Sequence, residues 1–233
     1  MSDSTPPPGV SCELSVVIPT FQGAASLPEL CARLAATLDA LELAWEVLLI
    51  DDASPDRTPE VVRELRATYP RLRYRRLASN GGQHAATIIG LRSAAGARVV
   101  TMDDDLQQAP ESIPLLLSAL EAGAQVAIAR FPQPAHAAWR RIGSRLVRAM
   151  TQRRRGGQPL VITSFKAFRR GAAARLVAAV PGSGPFYIGA VLQSVIPRED
   201  IVNVDVPHHG RRHGRSGYGP LALVRMAIAA VRA

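Results

Sequence analysis

Lysine is almost missing from this chain. Lys166 stands alone, and arginine supplies nearly all of the 28 basic residues. Arginine offers a planar fork that grips phosphate in two places, so this bias suits phosphate ligands and anionic surfaces. An Ala- and Arg-rich composition also follows from GC-rich codons, so the positions of the arginines say more than their number. Cysteine is scarce: Cys12 and Cys31 are the only two. That excludes a disulfide framework and fits a reducing compartment. Aromatic residues make up 5%, which leaves no stacking platform for nucleic acid. No apolar run approaches the ~20 residues that a membrane span needs. Met1 to Gly9 has no basic start and no apolar stretch, so residues 1–12 read as a floppy, proline-rich tail and not a signal peptide. The most pointed absence is internal: between Glu121 and Glu199 there is no Asp or Glu.

What is present bounds the class. The 233 residues are 47% hydrophobic, enough for one large domain with a real core. Formal net charge is +9 and the pI is about 10.8. Apolar strands alternate with helical spacing. Strands are predicted at 14–19, 46–50, 71–77, 98–102, 125–129, 163–168 and 201–206. Helices are predicted at 25–41, 58–69, 82–94, 110–121, 171–178 and 187–195, with a turn at 182–185. An Arg-rich amphipathic helix is predicted over 137–152, and a last amphipathic helix over 220–231. The βαβ series implies an α/β fold: a mainly parallel, Rossmann-like sheet with helices on both faces. No linker divides residues 13–233, so they read as one domain.

Polar residues gather where strands end. The first strand ends in Pro19-Thr20-Phe21, the second in Asp51-Asp52-Ala53-Ser54-Pro55-Asp56, and the fourth in Asp103-Asp104-Asp105. In a parallel sheet these ends share one edge, where open α/β sheets bind ligands. Three adjacent carboxylates repel one another and make no core; they suit a hard cation. Such an ion needs a second anion, and a diphosphate supplies one, so the edge points to a nucleotide-activated substrate. Asp56 reads as local capping for the helix at Thr58. Capping needs one acceptor, so Asp51 and Asp52 are assigned to a ligand.

The set Val17-Ile18-Pro19-Thr20-Phe21, Asp51-Asp52-Ala-Ser-Pro-Asp56, Asn80-Gly81-Gly82 and Asp103-Asp-Asp105-Leu-Gln107-Gln-Ala-Pro110-Glu111 resembles the family 2 glycosyltransferases of the GT-A fold. Within them it is most similar to the polyprenyl-phosphate branch that includes dolichyl-phosphate mannosyltransferase. The resemblance runs from about Leu14 to the C-terminal helix. It implies that Asp103, Asp105 and Gln107 hold Mg²⁺ or Mn²⁺ on the donor diphosphate. It implies a nucleotide-sugar site of Pro19, Phe21, Asp51, Asp52, Gly82, Asp103 and Asp104, in residues 13–130, for a UDP- or GDP-sugar. Residues 131–233 become the acceptor side and lid. There Arg211 and Ser216 fall on the family's flexible Arg-x-x-Gly-x-Ser loop, which closes on the donor phosphates. Asp105 and Arg211 take the catalytic roles, by steadying the departing nucleotide. Arg130, Arg140 and Ser144 would surround an acceptor phosphate.

Arg140 and Ser144 are four apart and share a helix face, within a basic stripe of Arg141, Arg145 and Arg148. Such a helix suits an anionic membrane surface as well as it suits an ordinary protein surface. The absent carboxylate bears on mechanism. Hydroxyl acceptors need a general base, whereas a phosphate is already an anion at neutral pH. Both signs point to a phosphate oxygen attacking the anomeric carbon in line, with inversion; together with the resemblance they imply a metal-dependent transfer to a polyprenyl phosphate, by a cytoplasmic protein peripheral to the inner face of the plasma membrane. The composition leaves a homo-oligomer open. Two rivals stand beside this reading: the same donor chemistry on a soluble small acceptor, and a basic nucleic-acid-binding domain. The last is disfavoured, because a carboxylate edge repels phosphates. The chain departs from the family pattern at Phe21-Gln22-Gly23, at Lys166 where arginine is common, and at Gly217 where lysine is common.

Overall fold

The computed structural model describes residues 12–131, 160–181 and 186–207. The expected helices at 137–152 and 220–231, the turn at 182–185, and Arg140, Ser144, Arg211 and Ser216 lie outside the described residues, as does the tail up to residue 11. The described strands are β1 (Leu14–Thr20), β2 (Trp45–Asp51), β3 (Leu72–Arg76), β4 (Arg98–Thr101), β5 (Val126–Arg130), β6 (Lys166–Arg169) and β7 (Ile201–Asp205). The helices are α1 (Leu27–Asp39), α2 (Thr58–Thr68), α3 (Gln83–Ser93), α4 (Ile113–Glu121), α5 (Arg170–Ala179) and α6 (Ile188–Val195). A 3₁₀ turn at Pro110–Ser112 leads into α4, so the helix predicted from 110 begins as a tighter turn.

The described strands form one sheet in the order β3-β2-β1-β4-β6-β5-β7. β1 runs parallel to β2 and β4, β2 is parallel to β3, and β5 is parallel to β7. β6 is antiparallel to both of its neighbours, so the mainly parallel sheet carries one reversed strand. β6 is also shorter than predicted, because residues 163–165 approach it as an irregular segment.

Both faces of the sheet are covered. Leu27, Leu30, Leu34 and Leu38 of α1, each at most 1% exposed, pack with Val16 and Ile18 of β1 and Leu116 and Leu120 of α4. Burying each such leucine stabilises the fold by roughly 1.5–3 kcal/mol before chain entropy is counted. On the other face Val17, Ile50, Val126 and Phe168 meet Ile88 and Leu91 of α3, Leu176 of α5 and Leu192 of α6. Alternate residues of β1 thus serve opposite cores, as a strand buried on both faces requires. Pro19 sits inside this central strand because β4 has already ended: Thr101 pairs with Val17, two residues earlier. A missing N–H disrupts no ladder there. Between β1 and β4 the chain direction switches from one side of the sheet to the other, and the crevice opens at that point.

Candidate active site

Each of the three central strands ends in a forced backbone turn. Gln22 after β1, Ala53 after β2 and Leu106 after β4 have φ of 58°, 60° and 62°, a region that non-glycine residues seldom adopt. Strain of this kind persists only where surroundings impose it, and it clusters at ligand sites. Here the surroundings are visible. Asp51 is fully buried; its carboxylate accepts from the Ser54 amide at 2.8 Å and the Tyr74 hydroxyl at 2.5 Å, with Arg76 Nε 3.6 Å away. Burial and this carboxylate push the Tyr74 hydroxyl well above its ordinary pKa. Asp52, 3% exposed, accepts from the amides of Gly81 and Gly82 at 2.7 and 2.8 Å. Gly82 has φ of +85°, which a residue with a Cβ rarely adopts, and it is the N-cap of α3. The Asp51-Asp52 pair therefore ties β2 to β3 and to the head of α3. Asp56 does the local work expected of it, accepting from the Thr58 amide at 3.2 Å and its hydroxyl at 2.6 Å.

The three carboxylates after β4 point to three different environments. Asp103 accepts from Gln83 Nε2 at 2.5 Å on one oxygen; its other oxygen takes Gln108 Nε2 at 2.8 Å and Ser164 Oγ at 2.5 Å. Gln108 also accepts from the Asp103 amide at 2.9 Å. Asp104 accepts from the Thr20 hydroxyl, which joins β1 to this loop. Burial raises its pKa to about 6. Gly23 must lack a side chain here, because a Cβ would run into both the Thr20 hydroxyl and the Asp104 carboxylate. Asp105 is half-buried, and one of its oxygens accepts from the Gln107 amide at 3.1 Å, turning the loop back on itself.

The predicted nucleotide residues thus share one edge. Pro19 is buried in β1, while Phe21 stands beyond it as an aromatic ring 46% exposed at the rim. Arg130 ends β5 and forms a two-pronged pair with Asp205 of β7, at 2.5 and 2.8 Å. Beside Asp103 lies a cavity of about 220 Å³ between α3, the end of β4, residues 162–164, β6 and the start of α6. Its wall at Ile162 and Thr163 is stapled down by Asn203, whose side chain bonds the Val161 amide and carbonyl at 2.9 and 2.8 Å. Gln83, Gln108, Ser164, Lys166 and His84 belong to this site, and none was predicted. Two carried a signal: Gln108 extends the Asp103-to-Gln107 string, and Lys166 is the chain's one lysine.

The donor set suits a hard cation that arrives with its substrate. Among the described residues, no group of three or more His, Cys, Asp or Glu side chains could hold a metal unaided. Magnesium-type sites commonly use one or two carboxylates, with substrate phosphates and water completing the shell. Asp105 and Gln107 offer oxygen ligands of that kind, and Asp103 is held at their side.

Residues 15–177 match the family described as glycosyl transferase family 2. The chain belongs to that family. The chain is 33% identical over 218 residues to an undecaprenyl-phosphate 4-deoxy-4-formamido-L-arabinose transferase of Edwardsiella ictaluri, covering 91% of this chain and 65% of that protein. It is 34% identical over 219 residues to a transferase of the same name from Pseudomonas paraeruginosa, covering 91% and 62%. The chain therefore spans about two thirds or less of these relatives. In fold it is similar to glucosyl-3-phosphoglycerate synthase of Mycobacterium tuberculosis, solved with Mn²⁺, UDP-glucose and phosphoglyceric acid. The TM-score is 0.68 at 20% identity, over 94% of this chain and 78% of that one. The α/β, GT-A-type fold expected from the sequence is thus present. Among the described residues, no helix is long and apolar enough to cross a membrane.

Proposed function

We propose that this chain is an inverting, divalent-metal-dependent glycosyltransferase that moves a sugar from a nucleoside diphosphate to a polyprenyl phosphate at the cytoplasmic membrane face. The observation that carries the reading is the distribution of carboxylates around the crevice. They crowd the donor edge at the ends of β2 and β4, whereas residues 131–233 carry only Glu199, Asp200 and Asp205, the last of them paired with Arg130. Among the residues lining the cavity beside Asp103, that aspartate is the only carboxylate, and three side-chain donors already hold it.

The chemistry follows from that distribution. No lining carboxylate is placed to form a covalent glycosyl-enzyme or to deprotonate a hydroxyl. An acceptor phosphate needs neither service; its oxygen attacks the anomeric carbon in line, and the single displacement inverts configuration. Asp105, Asp103 and Gln107 would hold the divalent cation, which would neutralise negative charge on the leaving diphosphate. Pro19, Phe21, Asp51, Asp52 and Gly82 form the nucleoside side, with the Phe21 ring offering an apolar face to the base. Arg211 and Ser216 close on the donor phosphates, while Arg130, Arg140 and Ser144 receive the acceptor phosphate. The names of the relatives support this acceptor, as does the break in carboxylates between Glu121 and Glu199.

The direct test is thermal stability with a panel of nucleoside diphosphates, each with and without Mn²⁺. A ligand at a hundred times its dissociation constant stabilises by about 2.7 kcal/mol, which moves the midpoint by several degrees. Asp105→Ala is expected to remove the manganese-dependent part of that shift and leave the protein folded. A variant that responds like the parent overturns the metal assignment. Labelled donor with lipid phosphate then separates the acceptors: product that partitions into organic solvent supports the polyprenyl phosphate, and product that stays in water supports a soluble one.

A further inference from the structure

Lys166 is out of place by every structural measure. It lies in β6, between Thr101 of β4 and Ile128 of β5, on the sheet face that Phe168 shares with α3. On that face it lies among the apolar Ile128 and Phe168 beside Thr101, and it is 6% exposed. Lysine is almost never buried this far unless it is paired. Among the described residues its ammonium makes no hydrogen bond and no ion pair; it feels only the longer-range attraction of Asp103. Across the same cavity Nε2 of His84 is buried without a partner, and its ring sits edge-on to Tyr187 at 5.4 Å. A buried imidazole nitrogen that lacks a partner, across one cavity from a lysine with no ion pair, is costly in isolation. Such an arrangement is complete only when something else fills the space.

We infer that this cavity is the seat of the transferred sugar ring, and that Lys166 and His84 select its substituents, with Lys166 donating to an oxygen on the ring. The inference rests on the donor reading given above. At about 220 Å³ the space is smaller than the roughly 300–1,000 Å³ of clefts that hold whole drug-sized ligands, so it takes one ring and not a nucleotide. Its position next to Asp103 places that ring beside the diphosphate edge. Its lining combines hydroxyls and amides of Gln83, Thr101, Thr163 and Ser164 with an apolar floor, which suits a polyol ring with one apolar face. Burial holds the lysine's pKa down at about 8 and the histidine's at about 4, so near neutral pH the cavity offers one cation and one uncharged imidazole.

Lys166→Met separates a ligand-selecting lysine from a structural one. Removing an uncompensated buried charge is expected to hold or raise the melting temperature of the ligand-free protein. With a panel of nucleotide sugars and their parent diphosphates in Mn²⁺, the variant is expected to bind the sugar nucleotide about tenfold more weakly or worse, the loss typical of a charged hydrogen bond. The matching diphosphate should bind within about twofold of the wild type. A fall of several degrees in melting temperature makes the lysine a structural member and overturns the inference. So does equal weakening of sugar nucleotide and diphosphate, or no weakening of either. Inorganic phosphate that stabilises the wild type but not Lys166→Met, with sugar-nucleotide binding untouched, would move the lysine to the acceptor phosphate. If no diphosphate stabilises the wild type at all, the donor reading fails first and takes the inference with it.

Discussion

His84 and Asp104 titrate in overlapping ranges with opposite signs, and each contributes its own slope to stability. Burial first, and Lys166 second, hold His84 down from 6.5 to about 4. A base with a depressed pKa contributes stability that is fully present above pH 6.5 and is lost as pH falls toward 4, where the folded state must accept a buried charge. The pKa difference corresponds to about 3 kcal/mol at most. Burial raises Asp104 from 3.8 to about 6, so its contribution is present below pH 3.8 and is lost as pH rises through 6. Acidification therefore weakens the fold at one residue and strengthens it at the other. The protein's own pH curve hides both. Urea midpoints of wild type and His84→Phe at pH 7 and pH 4.5 expose the histidine: the variant is expected to lose less stability on acidification, by about 1–2 kcal/mol. Equal losses in the two proteins would show that His84 carries no buried-charge penalty.

At the scale of elements, α3 links the donor edge to the core. Its first residue, Gln83, holds Asp103; the loop before it hangs from Asp52; and Gly90, in its last turns, lies against β1. A Cβ at Gly90 would drive into the Val17 side chain and press Ile50 Cγ1 at 3.1 Å. Gly90→Ala is therefore expected to cost about 1–3 kcal/mol in urea unfolding, despite alanine's better helix propensity. It is also expected to weaken diphosphate binding, because a displaced α3 carries Gln83 away from Asp103. A more stable variant with intact binding would show that the helix yields without moving the site.

The same elements show what could be read from the chain. Four parallel strands and their crossovers were legible because apolar strands and leucine spacing at Leu27, Leu30, Leu34 and Leu38 alternate without interruption. β6 itself was legible inside the strand predicted at 163–168, but its reversal was not, since no local pattern reports strand direction. The carboxylates of the site were legible from their place at strand ends. Their partners were not: Tyr74 reaches Asp51 from a neighbouring strand, and Ser164 reaches Asp103 from 61 residues away. Those contacts exist only once the sheet order is set.

At the scale of the whole molecule, charge is segregated along the chain and across the crevice. Carboxylates fill the region up to Glu121, then return only at Glu199, Asp200 and Asp205; the last of these is paired with Arg130. On the proposed reading, a molecule built this way lends no base to its acceptor, and the acceptor brings its own negative oxygen. The acidic limb of kcat/KM should then follow the acceptor's second phosphate ionisation, near pH 6 for a phosphate monoester. It should not follow any side chain of the protein. An acceptor thiophosphate, which loses its second proton at lower pH, is expected to carry the limb downward with it. A limb that stays in place when the acceptor is changed would locate the base in the protein, and the single-displacement reading without an enzymic base would have to be abandoned.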